Sequence, residues 1–218
     1  MRTLVGLGAG QHAKVVLDAL RQNSDCKVIG LLDPISEAGI IEQHGLPVLG
    51  SDARLPQLRA EGVSHFFIGL GNDNALRARL FRYGLACGLE PISAIHPSAQ
   101  ISPSARLGLG ITVMACAVIN PDAEIADNVI INTGAIVEHD CLIGSHTHIA
   151  PGACLLGAVQ VGEYVHVGAR AVVRQGLRIG NGSLVGAGAV VVRDVLSDEL
   201  VMGVPASPRT RTQKGGNG

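Results

Sequence analysis

From Ile95 to Val191 an aliphatic residue returns at every sixth position with no insertion. The series runs Ile95, Ile101, Leu107, Val113, Ile119, Ile125, Ile131, Val137, Ile143, Ile149, Leu155, Val161, Val167, Val173, Ile179, Val185, Val191, and all 17 positions are Ile, Leu or Val. Four residues after each stands a second small or apolar side chain, as at Ala99, Ala105, Ile111, Ala117, Ala123, Val129, Ala135 and Cys141. A step of six matches neither the 3.6 of an amphipathic helix nor the 2 of a half-buried strand. It predicts a parallel β-helix in which each hexad is one short strand and a turn. Three hexads close a triangular coil of 18 residues, so 17 hexads make between five and six coils.

Residues 1–92 follow another pattern. "TLVGLGAG" is a short apolar strand ending in glycines, and "QHAKVVLDALRQ" has helical spacing with Ala13, Val16, Leu17 and Leu20 on one face. "KVIGLLD" and "HFFIGLGND" are two more buried strands, and "NALRARLFRYGLACG" is a second helix. This order implies a small parallel sheet with helices packed on it, a Rossmann-like α/β unit ahead of the all-β repeat. The expected organisation is therefore residues 1–92, 93–208 for the repeat, and a disordered tail, "RTRTQKGGNG", over 209–218.

Composition agrees with a narrow, repeated interior. Aromatics are 2% of residues with no tryptophan, whereas ordinary cores fill space with large rings. Lysine plus arginine number 17 and aspartate plus glutamate 18, with no basic stripe, which argues against nucleic acid or an anionic membrane as partner. No apolar run approaches the roughly 20 residues of a bilayer span, and "MRTLVGLGAG" meets glycine too early for a signal peptide. Five cysteines without a CxxC pair suit reduced thiols, so a cytoplasmic protein is expected.

Chemistry enters first at "GLGAGQHA", where Gly8-x-Gly10-x-x-Ala13 joins a strand to a helix. Such glycines let backbone N–H groups approach a phosphate at the helix N-terminus, and Asp33 closes the next strand where a carboxylate would reach a ribose or base. The unit offers about one mononucleotide-binding half, so a single nucleotide diphosphate fits better than NAD. A glycine turn needed for packing alone is the other reading.

A short Rossmann-like domain opening "GAGQHAKVV", followed by hexapeptide repeats and ending in "GVPA" at Gly203–Ala206, resembles the sugar O- and N-acyltransferase family. That family includes bacillosamine and perosamine N-acetyltransferases and the sialic-acid O-acetyltransferase. The resemblance implies a left-handed β-helix, a nucleotide-linked sugar held by the first domain, acetyl-CoA held by the second, and a homotrimer. It assigns sugar-nucleotide contacts to Gly10, Gln11, His12, Asp33 and Gly71, although Pro34 stands where the family often carries a second acidic or polar residue. The family's "EH" motif makes His139 the general base and Asp140 its partner, with Asn132 near that histidine. It places His148 at the acetyl end of CoA, and the main chain near Ala169 and Ala187 along the cofactor.

The residues support that assignment on their own chemistry. An amine or hydroxyl attacking a thioester must lose a proton, and a histidine beside a carboxylate is a suitable acceptor. His139 and His148 are nine residues apart, half a coil, so within one prism they point away from each other. A shared substrate then requires a neighbouring copy, and the site is expected between subunits. His44, His65 and His96 are expected at surfaces or turns, and His146 at a solvated turn. His166 follows His148 by 18 residues, so the two should stack on successive coils. With His139 they suggest a zinc site of the kind found in β-helical carbonic anhydrases, a reading that leaves the first domain unexplained. The expectation is acetyl transfer from acetyl-CoA to the amine of a nucleotide-linked amino sugar, without a metal. Sugar O-acetylation is the alternative.

Overall fold

The computed structural model describes residues 2–22, 25–35 and 42–210. The first domain is a four-stranded parallel sheet in the order β2-β1-β5-β6, formed by β1 (Arg2–Leu7), β2 (Cys26–Leu32), β5 (His65–Ile68) and β6 (Glu90–Pro91). Helices α1 (Gln11–Arg21) and α3 (Asn74–Ala86) are the two read from the sequence, and α1 buries Ala13, Val16, Leu17 and Leu20 as its spacing requires. A short ladder of β3 (Glu42–Gln43) with β4 (Leu46–Pro47), and a six-residue helix α2 (Leu55–Ala60), were not foreseen. Segments this short carry too few periods to register as a pattern.

The repeat folds as a parallel β-helix of two-residue strands in three walls. The first wall stacks β7 (Ala94–Ile95), β10 (Thr112–Val113), β13 (Ile130–Ile131), β16 (His148–Ile149), β19 (His166–Val167) and β22 (Leu184–Val185), and ends in an antiparallel pair, β24 (Leu200–Met202) and β25 (Ser207–Arg209). The second holds β8 (Gln100–Ile101), β11 (Val118–Ile119), β14 (Ile136–Val137), β17 (Cys154–Leu155), β20 (Val172–Val173) and β23 (Val190–Val191). The third holds β9 (Arg106–Leu107), β12 (Glu124–Ile125), β15 (Leu142–Ile143), β18 (Gln160–Val161) and β21 (Arg178–Ile179). Partners across a wall differ by 18 residues, as Ile130, His148 and His166 do, until β24, whose Leu200 pairs with Leu184 at 16. The second residue of each strand points inward and is buried from Val113 onward. Ile95 is 41% exposed, because no coil lies beneath it at the open end of the prism. Arg209 still belongs to β25, and residues 211–218 of the expected tail lie outside the described residues.

The corners repeat as strictly as the strands. From Gly110 to Gly188 every sixth residue has φ between 53° and 71°, the left-handed region. Eight of these 14 are not glycine: Cys116, Asp122, Asn128, Asp140, His146, Ala158, Tyr164 and Arg170. Each such residue costs roughly 1–2 kcal/mol, and each of these eight is tied to the coil below by its own N–H. Asp140 N donates to the Pro121 carbonyl at 3.1 Å, and His146 N to that of Asp127 at 3.0 Å.

The three walls differ outside. The third is exposed and mostly polar, with Arg106 paired to Glu124, then Leu142, 40% exposed, and Gln160 and Arg178 above. The second presents Val118, Ile136, Cys154, Val172 and Val190, all half-buried and uncovered by this chain. The first wall is covered by the first domain: Met114 and Ala94 are buried together with Leu4, Val16, Leu17, Leu20 and Ile92.

Candidate active site

At the end of β1 the chain turns through Gly8 (φ 97°), which lies so close to Gly69 that a Cβ there would stand 2.2 Å from the Gly8 carbonyl. Packing therefore explains those two glycines. Gly10 differs: a Cβ on it would meet nothing within 4 Å, so the fold itself does not require glycine there. Gly10 caps α1 without a side-chain hydrogen bond, which leaves the first N–H groups of that helix available to an anion. Asp33 does not simply reach outward. Its Oδ2 accepts from Ala9 N at 2.8 Å and its Oδ1 from Ile35 N at 3.0 Å, so it straps the glycine turn to the end of β2. Behind the turn, His44 Nε2 lies 3.0 Å from both the Ala9 and Gly10 carbonyls, and as a donor it holds the loop from the other side.

His12, on the first turn of α1, lies over Gly71, where an added Cβ would approach its Cγ to 3.1 Å. Burial, and secondarily the charge of Arg77, pull its pKa down to about 4. Across the seam stands His148, pulled to about 3 by burial, then by His166, Arg77 and His12. The Gly71 backbone acts the other way on His148, from a position short of hydrogen-bond geometry. The His148 and His166 rings meet edge to face, centroids 4.9 Å apart, on successive coils. Asn132 fixes the tautomer of His148. Its Oδ1 accepts from Thr133 N at 2.8 Å, so its Nδ2 is the group 3.0 Å from His148 Nε2, which must accept. The proton of His148 then sits on Nδ1. That atom and Nε2 of His12 are buried with no hydrogen-bond partner among the described residues.

His139 lies elsewhere, on the edge between the second and third walls. Its Nδ1 is 2.8 Å from Asp140 Oδ2, and both side chains are exposed. The left-handed φ of Asp140, 60°, is one that aspartate tolerates better than most residues, and it turns the carboxylate back onto the preceding ring. The hydrogen bond to Asp140 raises the pKa of His139, partly opposed by desolvation and helped by the charges of Asp140 and Glu138. Beneath the ring is Gly157, one coil on, where a Cβ would stand 2.6 Å from His139 Cε1 and Nε2. Together with Glu138, Leu156, Ala158, Gln175 and Gly176 they line an open cavity of about 560 Å³. Cys141 points inward, donates to the Leu156 carbonyl at 3.3 Å, and has its pKa pushed up to about 11 by burial, so it is no nucleophile.

Comparison with known proteins accounts for both halves. Residues 3–83 match the PglD N-terminal domain, and residues 122–157 and 158–193 match the bacterial transferase hexapeptide (six repeats). The crystal structure of the perosamine N-acetyltransferase of Caulobacter crescentus, in complex with CoA and GDP-perosamine, is 44% identical with a TM-score of 0.91, covering 96% of this chain and 98% of that one. The chain belongs to this family of hexapeptide-repeat nucleotide-sugar acetyltransferases. The acetyltransferase domain of PglB from Neisseria gonorrhoeae, solved with acetyl coenzyme A, is 37% identical with a TM-score of 0.86, covering 95% of this chain and 99% of that one. The UDP-N-acetylbacillosamine N-acetyltransferase of Bacillus subtilis is 35% identical over 120 residues, a match spanning 53% of this chain and about half (52%) of that relative.

Within this acetyltransferase the expected residues separate into groups. Gly10, Gln11, His12 and Gly71 gather where the first domain meets the first wall, beside His148. The register places Asn132, Ala169 and Ala187 on one edge, between the first and second walls. His139 and Asp140 stand apart, on the far edge of the second wall. Within one chain Asn132, expected near His139, lies on the other edge of the second wall and binds His148. Six residues carry the chain from one corner of the prism to the next, so Asn132 and His139, seven apart, cannot share an edge. His146, expected to be solvated, is 7% exposed, because α3 covers it. Its Nδ1 meets Asn128 Nδ2 at 3.0 Å, and its ring lies between those of Phe81 and Tyr164. Burial, Arg77 and Arg82 lower its pKa to about 4. Sequence reasoning missed Arg77 entirely, and missed His44 and Gly157 as parts of these sites. Gly157 did leave a signal, for it stands 18 residues, one coil, after His139. Among the described residues no group of three or more His, Cys, Asp or Glu is arranged to hold a metal ion. No helix among them is long and apolar enough to cross a membrane.

Proposed function

We propose that this protein moves acetyl from acetyl-CoA to the amino group of a nucleotide-linked amino-deoxy sugar, at a site formed between two copies of the chain. The observation that carries this reading is the separation of His139–Asp140 from the seam of His12, Gly71, Asn132 and His148 by the width of the uncovered second wall. Val118, Ile136, Cys154, Val172 and Val190 make that wall apolar, and an apolar face of this kind is buried in an assembly. Packing three second walls around a threefold axis sets the His139 edge of one prism beside the Asn132–Ala169–Ala187 edge of the next. Half-sites that cannot meet in one chain then meet in a homotrimer.

In that cleft the steps follow from the groups present. The sugar diphosphate lies on the bare N-terminus of α1, held by Gly10, Gln11 and His12. The CoA arm runs along the neighbouring edge past Ala169 and Ala187, three coils or roughly 14 Å at the spacing of paired strands. The amine attacks the thioester carbonyl, and its proton passes to Nε2 of His139. Asp140, already bonded to Nδ1, stabilises the imidazolium. His148, neutral and locked with its proton on Nδ1, serves as a positioned donor and not as a second base. The tetrahedral intermediate collapses with loss of the CoA thiolate, and no covalent enzyme forms.

The test is thiol release from acetyl-CoA with a panel of UDP- and GDP-linked 4-amino sugars, on wild type and His139→Ala. Thiol should appear with an amino-sugar nucleotide present and fall by about 10²–10⁴-fold in the variant. Turnover near wild type in His139→Ala would remove it as base, and a stable, active monomer by light scattering would remove the shared site.

A further inference from the structure

We propose that Arg77 is the positioning residue that sets the sugar-nucleotide domain against the prism and so fixes His12 and Gly71 opposite His148. The proposal rests on the function proposed above and adds to it the part that couples the two binding domains.

Arg77 sits one turn into α3, whose N-terminus is capped by Asp73 Oδ1 accepting from Leu76 N at 2.8 Å. The side chain is 1% exposed, which for an arginine demands partners. Those partners come from both sides of the domain boundary. Nη1 donates to Asn74 Oδ1 at 2.9 Å and to the His146 carbonyl at 3.2 Å, and Nη2 donates to the Asn128 carbonyl. Asn128 and His146 are left-handed corner residues one coil apart, on the edge between the third and first walls. One planar guanidinium thus bridges two coils, a fork that a lysine cannot reproduce. Asn74, from the same turn of α3, donates to the Tyr164 and Val165 carbonyls at 3.1 Å each, which extends the contact to a third coil. Arg82 reaches the Tyr164 hydroxyl at 3.0 Å, and Phe81 meets the His146 ring with centroids 5.8 Å apart. The helix that starts three residues after Gly71 is therefore pinned to the prism in both height and rotation.

The electrostatics point the same way. His12 on α1 and His146, His148 and His166 on the prism each have their pKa lowered chiefly by burial and further by the charge of Arg77. His148 also feels His166 and His12, and His146 feels Arg82 and, in the opposite sense, Asp127. Arg77, its own pKa lowered to about 9 by burial, keeps its charge at neutral pH and adds to the burial that keeps the imidazoles around it neutral. A neutral His148 with a fixed tautomer is what the proposed site uses.

The experiment compares Arg77→Met and Arg77→Lys with wild type in the full chain. Arg77→Met should lower kcat/KM for the nucleotide sugar by about 10–100-fold, as expected when bound groups shift by about an ångström. Direct binding of acetyl-CoA should stay within about twofold, since its contacts lie on the prism. Arg77→Lys, which keeps the charge and loses the fork, should recover part of that loss. Imidazole NMR titration needs no turnover: His148 should titrate at higher pH in Arg77→Met than in wild type, and Arg77→Lys should stay nearer wild type. Melting temperature lowered with kcat, KM and the imidazole titrations unchanged would overturn the proposal, because Arg77 would then be structural alone. If Arg77→Met does not fold, wild-type kinetics in Arg77→Lys overturn it and a raised sugar KM supports it. Failure of any amino-sugar nucleotide to release thiol in wild type would sink the proposed reaction, while the titrations still decide the role of Arg77.

Discussion

Gly157 is the most exacting test of where the base sits. Its carbonyl accepts from Gly176 N at 2.9 Å in the corner ladder, a bond that a methyl group on Cα does not disturb. Its φ lies outside the left-handed region, so Gly157→Ala adds no backbone strain. The added Cβ would stand 2.6 Å from both Cε1 and Nε2 of His139, and 3.3 Å from Nδ1. Ordinary contact begins at 3.4 Å, so the ring must withdraw by about 0.8 Å, the difference of 3.4 and 2.6. The ring is exposed and can do so without disturbing the core.

A withdrawal of that size moves the atom that takes the proton. Misplacement by an ångström costs up to about 100-fold, so kcat should fall by about 10–100-fold, or about 1.4–2.7 kcal/mol of barrier. Melting temperature should change by less than about 2 °C. If the ring also leaves Asp140, the pKa of His139 drops from its raised position toward 6.5, and the acid limb of the kcat profile moves to lower pH. The assay is thiol release at saturating substrates across pH 5.5–8.5, with calorimetry on the same samples. A kcat within about threefold of wild type, with an unmoved acid limb, would refute the argument, since the glycine would then have no part in seating the base.

Other outcomes follow from the same geometry. Asp140→Asn keeps the left-handed corner that Asn tolerates but removes the charge, so the acid limb should move down and kcat fall by roughly tenfold at unchanged melting temperature; an unmoved limb would separate Asp140 from His139. His12 and His148 have folded pKa values of about 4 and about 3, below the unfolded 6.5, so the unfolded chain takes up protons first. Their stabilising effect is complete above pH 6.5 and is lost as pH falls, by about 2 kcal/mol for each group between pH 6.5 and 5. Calorimetry should show the melting temperature falling over that range, and less steeply in His148→Gln; equal slopes would count against a neutral His148. Asn132→Ala leaves His148 Nε2 buried without its donor and should cost about 1–3 kcal/mol by denaturation, while a shift below about 0.3 kcal/mol would mean the bond does not form.

Much of the fold was legible because the β-helix repeats its own rule. Once Val137 is known to point inward, the positions of Glu138, His139 and Asp140 on a corner follow, as does the seat of Gly157 one coil on. The pairing of His148 with His166 was legible for the same reason, and their edge-to-face contact bears it out. What could not be read depends on how the first domain docks, which no period encodes. Asn132 binds His148 because its amide turns back along the first wall, a rotamer choice invisible to spacing. Arg77 left one trace: it shares the buried side of α3 with Leu80, Phe81 and Gly84, and a charge on an apolar stripe asks for a partner.

The corners carry a further argument. A left-handed position favours glycine, and each other residue there costs roughly 1–2 kcal/mol, so a side chain at such a corner invites the question of what it contributes. At Asn128, His146 and Tyr164, stacked 18 residues apart, the return is the seat of α3: the Asn128 amide holds the His146 ring, that ring meets Phe81 and Tyr164, and the Tyr164 hydroxyl accepts from Arg82. At Asp140 the return is the carboxylate on His139. Nothing in the structure explains Ala158. The same backbone conformation thus seats α3 on one edge of the prism and, in the proposed mechanism, sets up proton transfer on another. Glycine at Asp140 would relax the backbone and remove the carboxylate from His139, so on the proposed mechanism the strain at that corner is the cost of keeping the base's partner in place.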